Sequence, residues 1–146
     1  MAESESYFLD TNILMYAIGK KHPYKQPCIK VLEQIRSEVI HVVTNVEVFQ
    51  EIIHRYWSLQ EQEVAAVAFS SMKKLCERVF PVLEADVDKA FQILQAYPCL
   101  GVRDAIHAAT MINNGLRKII STDKHFDEIE GIVRLDPLSG QRRLTE

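Results

Sequence analysis

Tyr7-Phe8-Leu9-Asp10-Thr11-Asn12 is the stretch on which the reading of this chain turns. Three β-prone residues run into an aspartate, and a helical pattern through Leu14, Tyr16 and Ile18 begins at once, with Asn12 as the expected cap and Gly19 as the stop. A strand that passes directly into a helix is the first half of a βα unit, and the alternation continues. A helix is expected from about Pro23, with Cys28, Val31, Leu32 and Ile35 on one face. Val39 to Val43 reads as a buried strand, and Thr44 caps a helix with Val46, Phe49, Ile53 and Tyr56/Trp57 at helical spacing. A helix from Gln62 to Glu77, a strand from Val79 to Leu83 and helices over Asp86–Ala96 and Asp104–Asn114 follow, the last stopped by Gly115. Lys118 to Ser121 and Ile132 to Leu135 are the last two expected strands.

Short apolar strands separated by helices, without hairpin turns between them, indicate a parallel sheet buried on both faces. The expected fold class is α/β: a three-layer α/β/α sandwich with a mostly parallel sheet of about five strands. The 146 residues fit one domain, 1–146, and a chain of this size buries enough surface to fold without a disulfide or structural metal. Three widely spaced cysteines, Cys28, Cys76 and Cys99, form no CxxC pair, which argues against a disulfide framework and for a reducing, cytoplasmic setting. Met1 to Ser6 is too polar for a secretion signal, and no apolar run reaches the ~20 residues that span a membrane.

In a doubly wound sheet, ligands bind beyond the carboxyl ends of the strands. That rule selects carboxylates. Asp10 closes the first strand, Asp123 follows the strand ending Ile120-Ser121-Thr122, and Asp104 opens a helix. Glu47 and Glu51 lie in the first two turns of the helix after the second strand. Clustered carboxylates repel unless a cation neutralises them, and oxygen ligands of this kind suit Mg²⁺ or Mn²⁺. Two such ions can promote in-line attack on a phosphodiester. They would also turn the net charge of −3 into +1, so the acidic balance does not exclude a nucleic-acid partner.

Each acid has a local role to weigh against this. Asp10 and Asp123 can be turn formers or caps, Asp104 complements a helix dipole, and Thr44-Asn45-Val46-Glu47 reads as a capping box. Glu51 lacks such a partner and is preferred over Glu47. Asp86 and Asp127 read as surface acids, and Phe49, Tyr56 and Trp57 as core. His107, one turn after Asp104, reads as a packed or hydrogen-bonded histidine.

Phe8-Leu9-Asp10-Thr11-Asn12 resembles the opening motif of the PIN-domain family, and Val48-Phe49-Gln50-Glu51 its second acidic segment. Arg103-Asp104-Ala105-Ile106-His107-Ala108-Ala109 and Ile119-Ile120-Ser121-Thr122-Asp123-Lys124-His125-Phe126 resemble the third and fourth, and Gly131 to Pro137 is also similar to family members. The resemblance implies two Mg²⁺ or Mn²⁺ ions and endonucleolytic cleavage of RNA. Small single-domain members of VapC-like type are often toxins paired with an antitoxin, and usually homodimers. Carried over residue by residue, Asp10, Glu51, Asp104 and Asp123 would be the catalytic metal ligands. Thr11, Asn12 and Thr122 would orient them, and Arg103, Lys20, Lys21 and Arg55 are candidates for holding the RNA backbone. Two other readings remain at this level, a catalytically silent PIN-like binding module and a receiver-like phosphoacceptor domain. Against the second, Asp10 is unpaired and the middle strand ends Val82-Leu83-Glu84.

Overall fold

Five short strands, β1 (Tyr7–Leu9), β2 (Val42–Asn45), β3 (Val79–Phe80), β4 (Lys118–Ile120) and β5 (Val133–Leu135), pair in the order β3-β2-β1-β4-β5, and every pairing is parallel. The computed structural model describes residues 6–139; the polar start read over Met1 to Ser6 lies outside them but for Ser6. A receiver-like sheet has the order 2-1-3-4-5, so the strand order overturns the phosphoacceptor alternative.

The connections are α1 (Thr11–Ile18) and α2 (Lys25–Arg36) between β1 and β2, α3 (Val46–Ser58) and α4 (Gln62–Leu75) before β3, and α5 (Glu84–Ala96) and α6 (Val102–Asn113) before β4. A short 3-10 turn, Lys124–Glu128, precedes β5. Steps from β1 to β2 and β2 to β3 run one way along the sheet, and the step from β3 to β4 runs back across β1. Right-handed crossovers then place α1 to α4 on one face and α5 and α6 on the other. The reversal falls between β1 and β4, which defines the crevice where a ligand is expected.

Burial explains the strand runs. Phe8, Leu9, Ile119 and Ile120 are fully buried, and each such side chain contributes about 1.5–3 kcal/mol by leaving water. Ala105, Ala108 and Ala109 are also fully buried, so α6 rests closely on the core. No helix among the described residues is long and apolar enough to cross a membrane.

Several local expectations shift. Asp10, not Asn12, caps α1, its carboxylate accepting from the Thr11 N–H. Gly19 ends α1 in extended backbone, where a Cβ would meet the Met15 carbonyl oxygen at 2.8 Å. Val39 is exposed and β2 starts at Val42. Thr44 belongs to that strand, its hydroxyl donating to the Leu9 carbonyl, and Asn45 caps α3 by accepting from the Val48 N–H. The buried face of α3 is therefore Val48, Phe49, Ile52 and Tyr56, while Val46, Ile53 and Trp57 are exposed. Asp86 is no surface acid. It is buried, accepting from the Leu83 N–H and the Asn113 amide, each at 2.8 Å. Asp127 is exposed as expected and pairs with Arg134.

Candidate active site at the carboxyl edge of the sheet

Asp10 sits on the floor of the crevice because β1 carries it there. Its backbone N–H donates to the Ile120 carbonyl at 3.1 Å, continuing the β1–β4 ladder by one residue. Oδ1 accepts from the Thr11 N–H at 2.8 Å; Oδ2 accepts from the Ser121 hydroxyl at 2.7 Å and the Asn12 amide at 3.2 Å. Burial raises the Asp10 pKa, and the Glu51 charge adds to the rise, against the opposing effects of His107, Ser121 and Thr11.

Ser121 links both sides of the crevice. Its hydroxyl donates to Asp10 and accepts from the Asn12 amide and from the Asp123 N–H at 3.0 Å. Asn12 completes the clamp, its Oδ1 accepting from the Thr122 N–H at 3.2 Å. Thr11 and Asn12 thus orient the acids, as expected. From Thr122 it is the backbone that takes part.

Glu51 reaches the same floor from the second turn of α3. The Thr11 hydroxyl donates to its Oε1 at 2.9 Å. Burial works to raise its pKa, but His107, the Thr11 hydroxyl and the Arg103 charge outweigh it, and the carboxylate stays below its ordinary range. The Nε2 of His107 lies 3.8 Å from Asp10 Oδ1 and 3.9 Å from Glu51 Oε1.

Asp104 and Asp123 form the second half of the cluster. Burial raises the Asp104 pKa, and the hydrogen bond to Asp123 and the charges of Asp10, Asp123 and Glu51 push it further. Asp123 goes the other way despite its burial, because Asp104 and the backbone and ring of His125 donate to it. The two carboxyls therefore titrate as an interacting pair, with Asp104 pushed up and Asp123 held down by their mutual contact. Asp123 also fills its expected local role, capping the 3-10 turn by accepting from the His125 N–H at 3.0 Å.

The raised Asp104 pKa has a testable consequence. An acid whose pKa is raised on folding adds stability below its unfolded pKa and loses it as pH rises through the folded value. In chelator, Asp104→Asn melts a few °C above the wild type at neutral pH, about 1 kcal/mol for a chain of this size. The two curves converge as pH falls to about 4, near the ordinary aspartate pKa. Thermal melts across that range, showing no excess stability of the variant at neutral pH, would contradict the upward shift of Asp104.

Glu47 is engaged elsewhere. The capping box expected with Thr44 does not form; instead Arg103 Nε donates to Glu47 Oε2 at 3.2 Å. Both residues line an open cleft of about 600 Å³ with Glu51, Gly101 and Asp104. Arg103 is thus the backbone-binding candidate that lines this cleft. Lys20 and Lys21 follow the far end of α1, about 12 Å from its cap at 1.5 Å per residue, and Arg55 lies one turn beyond Glu51, all exposed. A cleft of similar size near Ile35, His41 and Glu77 opens at the opposite edge of the sheet, by the start of β2, away from the four acids.

Ser121 and His107 are the two contributors the sequence reading undervalued. Ser121 read as a strand residue, and His107 as a satisfied packing group, whereas both its ring nitrogens are buried without a hydrogen-bond partner among the described residues. Two groups of donor atoms have the spacing of a cation site, Asp10 with Glu51 and His107, and Asp104 with Asp123 and His125. Four carboxylates with two imidazoles, one unpartnered, fit a divalent cation.

The family described as PIN domain matches residues 7–132. Ribonuclease VapC13 of Mycobacterium tuberculosis is 37% identical over 127 residues, covering 87% of this chain and 97% of that one. Ribonuclease VapC7 of the same organism is 31% identical over 130 residues, 88% of this chain and 90% of that one. Among solved structures, DNA-bound VapBC from Salmonella typhimurium superposes with a TM-score of 0.70 at 18% identity, over 90% of this chain and 98% of that one. M. tuberculosis VapC20, described as a sarcin-ricin loop cleaving toxin, gives 0.66 at 16% identity over 87% and 98%. These two likenesses speak for the fold alone, but with the family match and the sequence relatives the conclusion is direct: the chain belongs to the PIN-domain family.

Proposed function

We propose that this chain is a divalent-cation-dependent endoribonuclease, the toxin of a cytoplasmic toxin–antitoxin pair, with one domain carrying the whole activity. The observation that supports the reading is that Asp104 interacts with the charges of Asp10, Glu51 and Asp123, which come from other segments, and that Glu51 and Asp104 line an open cleft. The ribonuclease names of relatives above 30% identity support the substrate class.

In this reading the four acids are the ligands of Mg²⁺ or Mn²⁺. Such ions supply the charge that activates the attacking group and stabilises the leaving oxygen in an in-line phosphodiester displacement. Asn12, Ser121 and the Thr11 backbone hold Asp10 in one rotamer, and the Thr11 hydroxyl fixes Glu51. Arg103 swings from Glu47 to the RNA backbone, and Lys20, Lys21 and Arg55 extend the phosphate track.

Cleavage of RNA by the pure protein requires Mg²⁺ or Mn²⁺ and stops in EDTA. RNA binding weakens as well, because uncovered carboxylates repel phosphate. Full cleavage in excess chelator would rule the mechanism out.

For the antitoxin, the solved VapBC complexes of similar fold supply the precedent. An arginine from such a partner would satisfy the carboxylates in place of the ions. The exposed Val46, Ile53 and Trp57 of α3 offer an apolar face for a second copy of the chain. Light scattering is expected to give a homodimer; a strict monomer at high concentration argues against it. Harmless overexpression of active nuclease in the native host argues against the toxin role.

A further inference from the structure

His107 is a buried imidazole that neither packing nor hydrogen bonding explains. Its side chain is 1% exposed, and neither Nδ1 nor Nε2 has a hydrogen-bond partner among the described residues. Buried polar atoms in folded proteins are nearly always paired, and an orphan calls for a ligand or ion. The ring is not loosely placed. It lies against Phe8 of β1, with ring centroids 5.1 Å apart, on a helix whose neighbouring Ala105, Ala108 and Ala109 are fully buried.

The two oxygens nearest Nε2, Asp10 Oδ1 at 3.8 Å and Glu51 Oε1 at 3.9 Å, are too far to accept a hydrogen bond. Those separations suit a shared ion. Two donors each about 2.1 Å from one cation stand roughly 3.0 Å apart at a right angle and 4.2 Å apart in line. Among the described residues neither oxygen is saturated, since Asp10 Oδ1 accepts from the Thr11 N–H alone and Glu51 Oε1 from the Thr11 hydroxyl alone. Asp104 and His107 are three residues apart on α6, so the helix presents one residue to each donor group from consecutive turns. His125, in the other group, differs: it is half exposed and already bound to Asp123 Oδ1 at 2.9 Å.

We infer that His107 is a metal ligand, its Nε2 joining Asp10 Oδ1 and Glu51 Oε1 around one cation on the floor of the site, and that this nitrogen makes the position favour Mn²⁺ over Mg²⁺. The inference rests on the cation-dependent reading above and adds to it a nitrogen donor and an ion preference. Mg²⁺ demands oxygen and gives up water reluctantly, whereas imidazole binds transition-metal dications well. A nitrogen in a buried, pre-positioned ring therefore raises Mn²⁺ affinity while leaving Mg²⁺ nearly unchanged.

The test uses the full chain stripped of cations and reloaded with Mn²⁺, read by pulsed electron paramagnetic resonance and by calorimetric titration. Coupling of the Mn²⁺ spin to a ¹⁴N nucleus is expected in the wild type and in His125→Gln, and is lost in His107→Gln. Mn²⁺ affinity falls about tenfold or more in His107→Gln, with Mg²⁺ affinity within about twofold. Coupling that persists in His107→Gln, or is missing from His125→Gln while Mn²⁺ is bound, overturns the inference and leaves the carboxylate-based reading standing. Failure of Mn²⁺ alone to bind the wild type overturns the inference, and failure of both Mn²⁺ and Mg²⁺ overturns the cation-dependent reading as well. If His107→Gln does not fold, the His125→Gln spectrum decides alone, because that ring lies at the surface.

Discussion

Asp10→Asn lowers RNA cleavage by roughly a thousandfold, the largest loss expected of any single conservative change here. An ion that stabilises transition-state charge supplies several kcal/mol, and about 1.4 kcal/mol corresponds to each decade of rate. Asp10 is the acid most deeply set in the crevice, so no solvent dipole replaces its charge. The substitution keeps the volume and the backbone contact: the asparagine oxygen still accepts from the Thr11 N–H. The new amide faces two donors, the Asn12 amide and the Ser121 hydroxyl, whose own two lone pairs already accept from Asn12 and the Asp123 N–H. The variant is therefore expected to remain folded, with a melting temperature within a few °C of the wild type. Cleavage at saturating Mn²⁺ beside a thermal melt checks both; retention of a tenth of the activity would remove Asp10 from the ligand set.

The second large effect separates two glutamates that are one helical turn apart. Glu51→Gln is expected to lose about a hundredfold or more in cleavage with little change in stability. The glutamine oxygen can still accept from the Thr11 hydroxyl, so the side chain stays in place and only its charge goes. Glu47→Gln is expected to keep most of its activity. Its carboxylate serves Arg103, whose side chain is 42% exposed, and an ion pair that open to water contributes about 0–1 kcal/mol. The capping box once expected of Glu47 is absent, yet the outcome for cleavage is the same. A reversed pattern, with Glu47→Gln inactive and Glu51→Gln near normal, would move the ligand by one turn and leave the nuclease reading intact.

Local sequence pattern is enough to specify the strand-to-helix alternation, the parallel sheet and the position of Asp10, Glu51, Asp104 and Asp123 at strand ends and helix starts. It could do so because those features depend on chain neighbours: apolar runs that must be buried, helix starts, and the rule that strand ends face the ligand. The Glu47–Arg103 pair, the burial of Asp86 under Asn113 and the exposure of Trp57 were decided by tertiary structure. So were the cap at Asn45 and the strand role of Thr44, which depends on a hydroxyl bond to Leu9 across the sheet. Ser121 meets Asp10 across 111 positions and Thr11 meets Glu51 across 40, distances over which no local pattern carries information. His107 shows the limit most clearly. On helical spacing it is one more residue on the buried face of α6, and only the folded chain reveals that its nitrogens lack hydrogen-bond partners among the described residues and that Nε2 faces two carboxylates. A helix pattern specifies which side of a residue is buried; what waits there is supplied by segments that the pattern does not contain.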